Sequence, residues 1–167
     1  MLVAIISDIH NNEVNLKKVL DYCRIQEIDT IICCGDLASE ETLEFLNDNF
    51  SGTIHYTFGN MDNDQLRSLK FADQYKNTIL YKDSGETNIE GKRIAFVHFP
   101  EDAKVLAASG KYDFVFYGHT HKPWEETIGN CMLVNPGNVA GEIYLPTFAI
   151  WNTDDGSFKL ILVHKLK

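Results

Sequence analysis

The sequence lacks any apolar run that approaches the ~20 residues needed for a membrane-spanning helix. It also lacks a basic segment followed by an apolar leader, because the first predicted strand begins at Leu2. We therefore expect a cytoplasmic protein with no membrane partner. No G-x-x-x-x-G-K-[ST] motif is present, so nothing in the sequence supports a P-loop nucleoside triphosphatase.

Basic residues are few, with 15 Lys and Arg against 24 Asp and Glu, and the formal net charge is −9. This deficit disfavours a broad nucleic-acid-binding face, because such binding depends on neutralising phosphates. It does not exclude a small phosphorylated substrate. Bound divalent metals can make a locally positive pocket inside an acidic shell.

Cysteine is scarce as well, and the four cysteines are Cys23, Cys33, Cys34 and Cys131. Their spacings match no zinc-binding pattern, and Cys33 and Cys34 lie side by side in an apolar run. We therefore expect buried, reduced thiols rather than metal ligands or disulfides.

The 167 residues predict one domain over residues 1–167 that is large enough to bury a substantial core. The 44% hydrophobic content is typical of globular proteins. No linker, internal repeat or low-complexity segment interrupts the chain. The sequence leaves the oligomeric state open, with a homo-oligomer among the alternatives.

The chain does contain five short apolar runs that are typical of buried strands. They span residues 2–7, 30–34, 53–58, 93–97 and 114–117. Helices are expected after the first two runs, with Asn11 or Asn12 and then Ser39 as N-caps. A third helix is predicted from Pro100 to about residue 109, and a short one over 64–69.

Further short strands are predicted in the second half of the chain. They fall near residues 78–81, 86–89, 125–128 and 131–134, with a final hairpin over 147–151 and 158–163. Apolar and polar residues alternate poorly in the early strands and better in the late ones. We therefore expect an α/β fold with helix-covered strands first and mainly antiparallel strands later.

Each of the five main runs ends in groups that can bind a metal ion. In chain order these are Asp8 with His10, Asp36, Asn60, His98, and His119 with His121. Functional crevices of open α/β sheets lie outside the carboxyl ends of the strands, where such tips meet. A simpler alternative is that each residue only ends a strand or caps a helix. The recurrence of ligand-type side chains at the same topological place favours a metal site.

Seven side chains would over-supply one metal ion, whereas they would serve two ions that share a bridging carboxylate. The nitrogen and oxygen donors suit borderline divalent ions better than calcium. Manganese is the first candidate for both ions, and iron, zinc, nickel, cobalt or magnesium are the alternatives.

The motifs D-x-H, G-D, G-N, H and G-H-x-H, in this order, resemble the calcineurin-like metallophosphoesterase superfamily. The later N-P-G turn at residues 135–137 resembles its small bacterial and archaeal phosphodiesterases. The resemblance implies two mixed β-sheets packed as a sandwich and flanked by helices, a four-layer αββα fold.

The resemblance also implies roles for the strand-tip residues, and a reaction. The first metal would be held by Asp8, His10, Asp36 and His121, and the second by Asn60, His98, His119 and the bridging Asp36. Asn60 and His98 would also take part in catalysis. The activity implied is that of a divalent-metal-dependent phosphoesterase, a phosphodiesterase in particular. A metal-bridging hydroxide would attack phosphorus in line with the leaving oxygen.

Two positions depart from the family pattern. Many members carry, after G-N, a histidine that is assigned to protonating the leaving group, and this chain has Met61 followed by Asp62. The acid is then Asp62, a metal-bound water or absent, and Asp62 has a supporting or helix-capping role as its alternative. Many members also follow the fourth-motif histidine with glycine, where this chain has Phe99. Phenylalanine would be strained there if a positive φ were required.

Two other functions compete with a dinuclear esterase. A retromer subunit resembles this fold and uses the site mainly as a scaffold within an assembly. A non-catalytic module of that kind is expected to lose key ligand positions, and this chain keeps all seven. The third reading is a mononuclear hydrolase, which metal stoichiometry would distinguish.

Overall fold

The computed structural model describes residues 1–63, 66 and 75–166. Its strands are β1 (Leu2–Ile6), β2 (Thr30–Cys33), β3 (Thr53–Thr57), β4 (Thr78–Tyr81), β5 (Ser84–Ile89), β6 (Lys92–Val97), β7 (Phe114–Phe116), β8 (Trp124–Ile128), β9 (Cys131–Asn135), β10 (Thr147–Asn152) and β11 (Phe158–Leu162). Its helices are α1 (Glu13–Ile25), α2 (Glu40–Asn49), α3 (Pro100–Ala108) and a 3₁₀ helix at Val163–Lys165. The helix expected over 64–69 lies outside the described residues apart from Leu66, which is helical.

The strands form two mixed sheets. One sheet has six strands in the order β11-β10-β1-β2-β3-β4, and the other has five in the order β5-β6-β7-β9-β8. Strands β1, β2, β3 and β4 are parallel to one another, and α1 and α2 are the crossovers between the first three. In the second sheet β6, β7 and β9 are parallel. The carboxyl ends of the apolar strands therefore point the same way within each sheet.

The two sheets pack face to face, and helices cover their outer faces. Ile5 and Ile32 of the first sheet pack with Phe96 and Phe116 of the second, and Trp151 is fully buried in the same cluster. The opposite face of the first sheet packs on α1 and α2, whose buried residues include Leu16 and Leu43. Helix α3 covers the second sheet through Ala103 and Ala107. This arrangement confirms the predicted four-layer sandwich.

The helix starts follow the predicted capping chemistry. The Asn12 side chain accepts a hydrogen bond from the Asn15 N–H at 3.0 Å, which caps α1. The Ser39 hydroxyl accepts one from the Thr42 N–H at 3.4 Å, which caps α2. Pro100 occupies the first turn of α3, where its missing N–H costs nothing.

The expectation of mainly antiparallel strands in the second half needs one correction. Strands β8, β10 and β11 pair only antiparallel, but β9 lies parallel to β7. The reason is that β8 occupies the edge of the sheet, so the chain turns back and inserts β9 between β8 and β7.

The four cysteines are free and buried, as predicted. Burial raises the pKa of the Cys23 thiol to about 12 and that of Cys131 to about 11. These thiols therefore stay protonated and unreactive at neutral pH. In the described part of the chain, no helix is both long and apolar enough to cross a membrane.

Candidate metal centre

The five predicted strand tips meet at one edge of the sandwich. The N–H groups of Ile9 and His10 both donate to the Asp36 carbonyl, at 2.9 and 3.0 Å, which ties the tip of β1 to that of β2. The His119 N–H donates to the Asp8 carboxylate at 3.1 Å, which joins the second sheet to the first. The Gly118 N–H donates to the His98 carbonyl at 3.1 Å. All seven predicted ligand residues therefore lie in one site.

One group of side chains surrounds the Asp8 carboxylate. His121 Nε2 lies 3.3 Å from Asp8 Oδ1, and His10 Nε2 lies 3.8 Å from the same oxygen. His10 Nε2 is also 3.7 Å from Asp36 Oδ2. One ligand atom each from Asp8, His10 and His121 falls within 4.8 Å of the others, as a metal site requires. We call these three residues the inner group, because Asp8 and His121 are buried.

A second group lies beside the first and reaches solvent. His98 Nε2 is 3.1 Å from Asn60 Oδ1, and His119 Nδ1 is 2.9 Å from the same oxygen. The two imidazole nitrogens are 3.3 Å apart. Asn60 and His119 are exposed, whereas His98 is buried. We call these three residues the outer group, and it forms the opening of the site.

Asp36 faces both groups. Its Oδ2 atom lies 3.2 Å from His98 Nε2 of the outer group and 3.7 Å from His10 Nε2 of the inner group. Ligand atoms of Asp8 also come within 4.8 Å of those of both Asp36 and His98. Both carboxylates are almost completely buried. Two buried carboxylates therefore stand between the two sets of histidines.

The electrostatics of the site favour positive charge. Burial alone would raise the pKa of Asp8, but the neighbouring imidazoles of His10 and His121 hold that pKa well below its usual range. The Asp8 carboxylate in turn raises the pKa values of His10 and His121. Burial opposes the charged form of His98, yet the contact with Asp36 raises the pKa of that imidazole. The two buried carboxylates therefore favour positively charged groups at this site.

A second observation, the environment of His10, also indicates that these residues fit divalent metal ions. His10 Nε2 is buried and has no hydrogen-bond partner among the described residues. A buried polar atom without a partner costs free energy unless something else satisfies it. It points toward two carboxylates at distances too long for hydrogen bonds. An imidazole and carboxylate donor set is typical of divalent transition metals.

Backbone carbonyls orient two of the histidines. His98 Nδ1–H donates to the Cys34 carbonyl at 2.8 Å, which leaves Nε2 directed at Asp36. His121 Nδ1 is 3.3 Å from the Glu142 carbonyl, which leaves its Nε2 directed at Asp8. Such partners fix the tautomer and raise the basicity of an imidazole ligand.

Comparison with known proteins now decides the family. The sequence profile of the calcineurin-like phosphoesterase superfamily domain matches residues 1–156, which is most of the chain. The chain belongs to this superfamily. A phosphodiesterase of Methanocaldococcus jannaschii is 26% identical over 166 residues, spanning 98% of this chain and 99% of that protein.

Solved structures agree with this assignment. The structure of an archaeal phosphodiesterase, 28% identical, covers 97% of this chain and 99% of its own with a TM-score of 0.87. Vacuolar protein sorting 29 from Cryptosporidium parvum, 18% identical, covers 96% of this chain and 95% of its own with a TM-score of 0.69. At that identity the second likeness concerns the fold alone.

In this member of the superfamily two asparagines support the histidine loop, and they were not assigned that role from the sequence. Asn135 Nδ2 donates to the Gly118 carbonyl at 2.8 Å. Asn138 Nδ2 donates to the His121 carbonyl at 3.1 Å, while its Oδ1 accepts from Gly141 and Glu142. Both asparagines belong to the N-P-G-N sequence at residues 135–138. This motif could have indicated a role near the site, but a role in the turn was enough to explain both residues.

Asp62, one of the candidate acids, lies behind the site. Its Oδ2 accepts the N–H groups of Asp36 and Gly59, at 3.0 and 2.6 Å, and its Oδ1 accepts that of Ala38 at 2.8 Å. Burial raises the pKa of this carboxyl. These contacts favour the supporting role over that of a general acid, because both oxygens are engaged with backbone N–H groups around Asp36.

Asp62→Asn is expected to lower the free energy of unfolding by about 1–3 kcal/mol, because an amide nitrogen would then face a buried N–H donor. It should also weaken metal binding, because Asp36 loses its backbone support. Urea unfolding and metal titration measure these effects, with the exposed Asp83→Asn as the matched control. Unchanged stability and metal affinity, combined with slower cleavage of esters with poor leaving groups, would instead favour the acid role.

Phe99 and Met61 occupy the two positions that depart from the family pattern. Phe99 has φ −87° and ψ 139°, an ordinary extended conformation, so the strain considered above is absent. Met61 donates its N–H to Asp36 Oδ1 at 2.7 Å, and its side chain is 53% exposed. The methionine therefore helps hold Asp36 through its backbone, and its thioether has no proton to donate.

Proposed function

We propose that the protein is a divalent-metal-dependent phosphodiesterase with two metal ions. The observation that carries the proposal is the convergence of six residues with nitrogen and oxygen donors, in two groups of three, on Asp36 as the seventh. The M. jannaschii relative, itself named a phosphodiesterase, supports the diester as substrate class. A small phosphorylated substrate also suits the site, because Asn60 and His119 of the outer group are exposed.

In this proposal Asp8, His10 and His121 hold one ion, and Asn60, His98 and His119 hold the other. Asp36 serves both, since its Oδ2 faces an imidazole of each group. Manganese is the proposed native metal, because mixed imidazole and carboxylate sites suit borderline divalent ions. When bound, such ions supply Lewis acidity toward phosphoryl oxygens and a nucleophile that is ionised at neutral pH.

The protein's own residues position these ions and admit the substrate. Asp8 and His121 of the inner group are buried, whereas Asn60 and His119 are exposed, so a phosphate would reach the site past these two outer residues. The Cys34 and Glu142 carbonyls keep the imidazoles of His98 and His121 directed inward. The framework is thus built before the substrate arrives, and little reorganisation is needed during reaction.

The proposal is tested by removing metal and adding it back. Chelator-stripped protein should be inactive on bis(p-nitrophenyl) phosphate, and Mn²⁺ should restore turnover. His121→Ala should remain inactive with Mn²⁺, because the inner group loses the imidazole nearest Asp8. His164→Ala, which removes an exposed histidine of the 3₁₀ helix, is the matched control and should keep full activity.

Metal analysis separates the alternatives. Two bound ions without turnover, across the divalent metals named above, would contradict the esterase and favour a scaffold. Full activity with one bound ion would favour the mononuclear hydrolase.

A further inference from the structure

The opening of the site carries an exposed aromatic ring. Phe99 lies two residues after the end of β6 and is 38% exposed, whereas Phe96 within that strand is fully buried. Its ring centroid lies 5.0 Å from that of His98 and 4.9 Å from that of His119. A large apolar side chain therefore adjoins two of the three residues of the outer group without being buried in a core.

The contacts of Phe99 leave part of the ring available. The His98 imidazole is inclined by 80° to the phenyl ring and the His119 imidazole by 60°, so neither stacks flat against it. Flat aromatic groups attract each other through offset-stacked or edge-to-face contacts. The exposed ring thus offers a surface for a flat apolar group carried by a molecule at the outer group.

The backbone that carries this ring is held by its neighbours in the chain. Phe99 is the N-cap residue of α3, and its carbonyl accepts the Ala103 N–H at 3.1 Å. Pro100, with its fixed φ, follows directly. A ring anchored between a central strand and a helix is pre-organised, so little conformational entropy is lost when a ligand packs on it.

The charges that follow Phe99 in the chain argue against a second anionic group on the ligand. Glu101 and Asp102 stand in the first turn of α3, two and three residues after Phe99, and both are exposed. Their carboxylates would repel a second phosphate or a carboxylate. An uncharged group is therefore the chemistry that this side of the opening accepts.

We propose that Phe99 is a specificity-determining residue that packs against a flat, uncharged ester group of the substrate. The inference rests on the proposed phosphodiesterase function and narrows its substrate class to diesters that carry an aryl group or a nucleobase. Phe99 adjoins the imidazoles of the outer group, so a phosphate held there places its ester group next to the ring.

Binding of non-hydrolysable phosphonates tests this. Isothermal titration calorimetry on the manganese-loaded protein compares phenylphosphonate with methylphosphonate, which differ only in the flat group. Wild type should bind phenylphosphonate about tenfold more tightly, in keeping with the usual strength of aromatic stacking. Phe99→Ala should remove that preference and leave methylphosphonate affinity unchanged, and Phe99→Tyr should retain the preference.

A second pair of probes identifies the source of the flat group. Thymidine 5′-monophosphate and 2-deoxyribose 5-phosphate differ only in the base. A preference for the nucleotide that Phe99→Ala removes would assign the position to a nucleobase. If wild type prefers phenylphosphonate to methylphosphonate but shows no preference for the nucleotide, the position would be assigned to an aryl ester.

The outcomes also distinguish this inference from the proposed phosphodiesterase function on which it rests. Equal affinity of wild type for both phosphonates, with normal hydrolysis of diesters, would overturn the role of Phe99 and leave the phosphodiesterase intact. Failure of the loaded protein to bind either phosphonate or to hydrolyse any diester would overturn both. Loss of affinity for both phosphonates in Phe99→Ala, with Phe99→Tyr equally weak, would show a structural role and also contradict the proposal.

Discussion

Asp36→Asn is expected to reduce manganese-dependent diester hydrolysis by at least about a thousandfold. Among the residues that the structure describes, Asp36 is the one carboxylate that has a single oxygen less than 4 Å from an imidazole of each group. An amide nitrogen at that position would point a donor at both proposed metal positions. Losing the several kcal/mol that a metal clamp supplies corresponds to a loss of this size.

The substitution should leave the fold intact. Asparagine matches aspartate in size and tolerates the left-handed backbone of this position, where φ is 58°. Its remaining oxygen can still accept the Met61 N–H, as Asp36 Oδ1 does at 2.7 Å. The loss of activity would therefore report on the site and not on unfolding.

The measurement combines turnover with metal content. The purified variant should bind fewer than two ions per chain, while Asp83→Asn should match wild type in both stoichiometry and rate. If Asp36→Asn bound two ions and kept wild-type turnover, the sharing of Asp36 between two ions would be wrong.

Met61→His is expected to speed the cleavage of diesters with poor leaving groups by about a hundredfold, the lower range of general acid catalysis. Cleavage of p-nitrophenyl esters should change little, because that leaving group departs without a proton. The reason is that Met61 stands beside Asn60 at the opening and has no proton to donate. The wild-type rate should accordingly fall steeply from p-nitrophenol to phenol as leaving group.

Position 61 is suitable for this gain of function because of its exposure and its backbone contact. The Met61 side chain is 53% exposed, and the contact with Asp36 is made by the backbone N–H, which histidine and glutamine both keep. Met61→Gln, similar in size but without an acid, is the matched control and should behave like wild type. A flat leaving-group dependence in the wild type would mean that a proton donor already acts in the site.

The strand tips could be predicted from the sequence because each apolar run ends in a ligand-type residue, and the ends of parallel strands meet at one edge. Asp8, Asp36 and the G-H-x-H motif were found in that way. The order of the strands was not predictable, because β10 pairs with β1 through contacts that span nearly the whole chain.

Details that depend on side-chain direction were also beyond the sequence. The turn of Asn138 toward the His121 carbonyl, the position of Asp62 behind Asp36 and the exposure of the Phe99 ring all follow from packing between distant segments. The extended φ of Phe99 removed a strain that the family pattern had suggested. Local sequence patterns identify which residues lie at the site, and long-range packing determines how their side chains are oriented.

Five of the proposed ligands have backbones in the left-handed region, with φ from 47° to 68°: Asp8, His10, Asp36, His119 and His121. That conformation costs a non-glycine residue on the order of 1 kcal/mol. Each such position is therefore one where glycine would relax the chain while removing a ligand. Selection for catalysis and selection for stability pull in opposite directions here. A descendant that is no longer selected for hydrolysis would be expected to acquire glycine and asparagine at these positions. Its folding stability would then rise as its activity was lost.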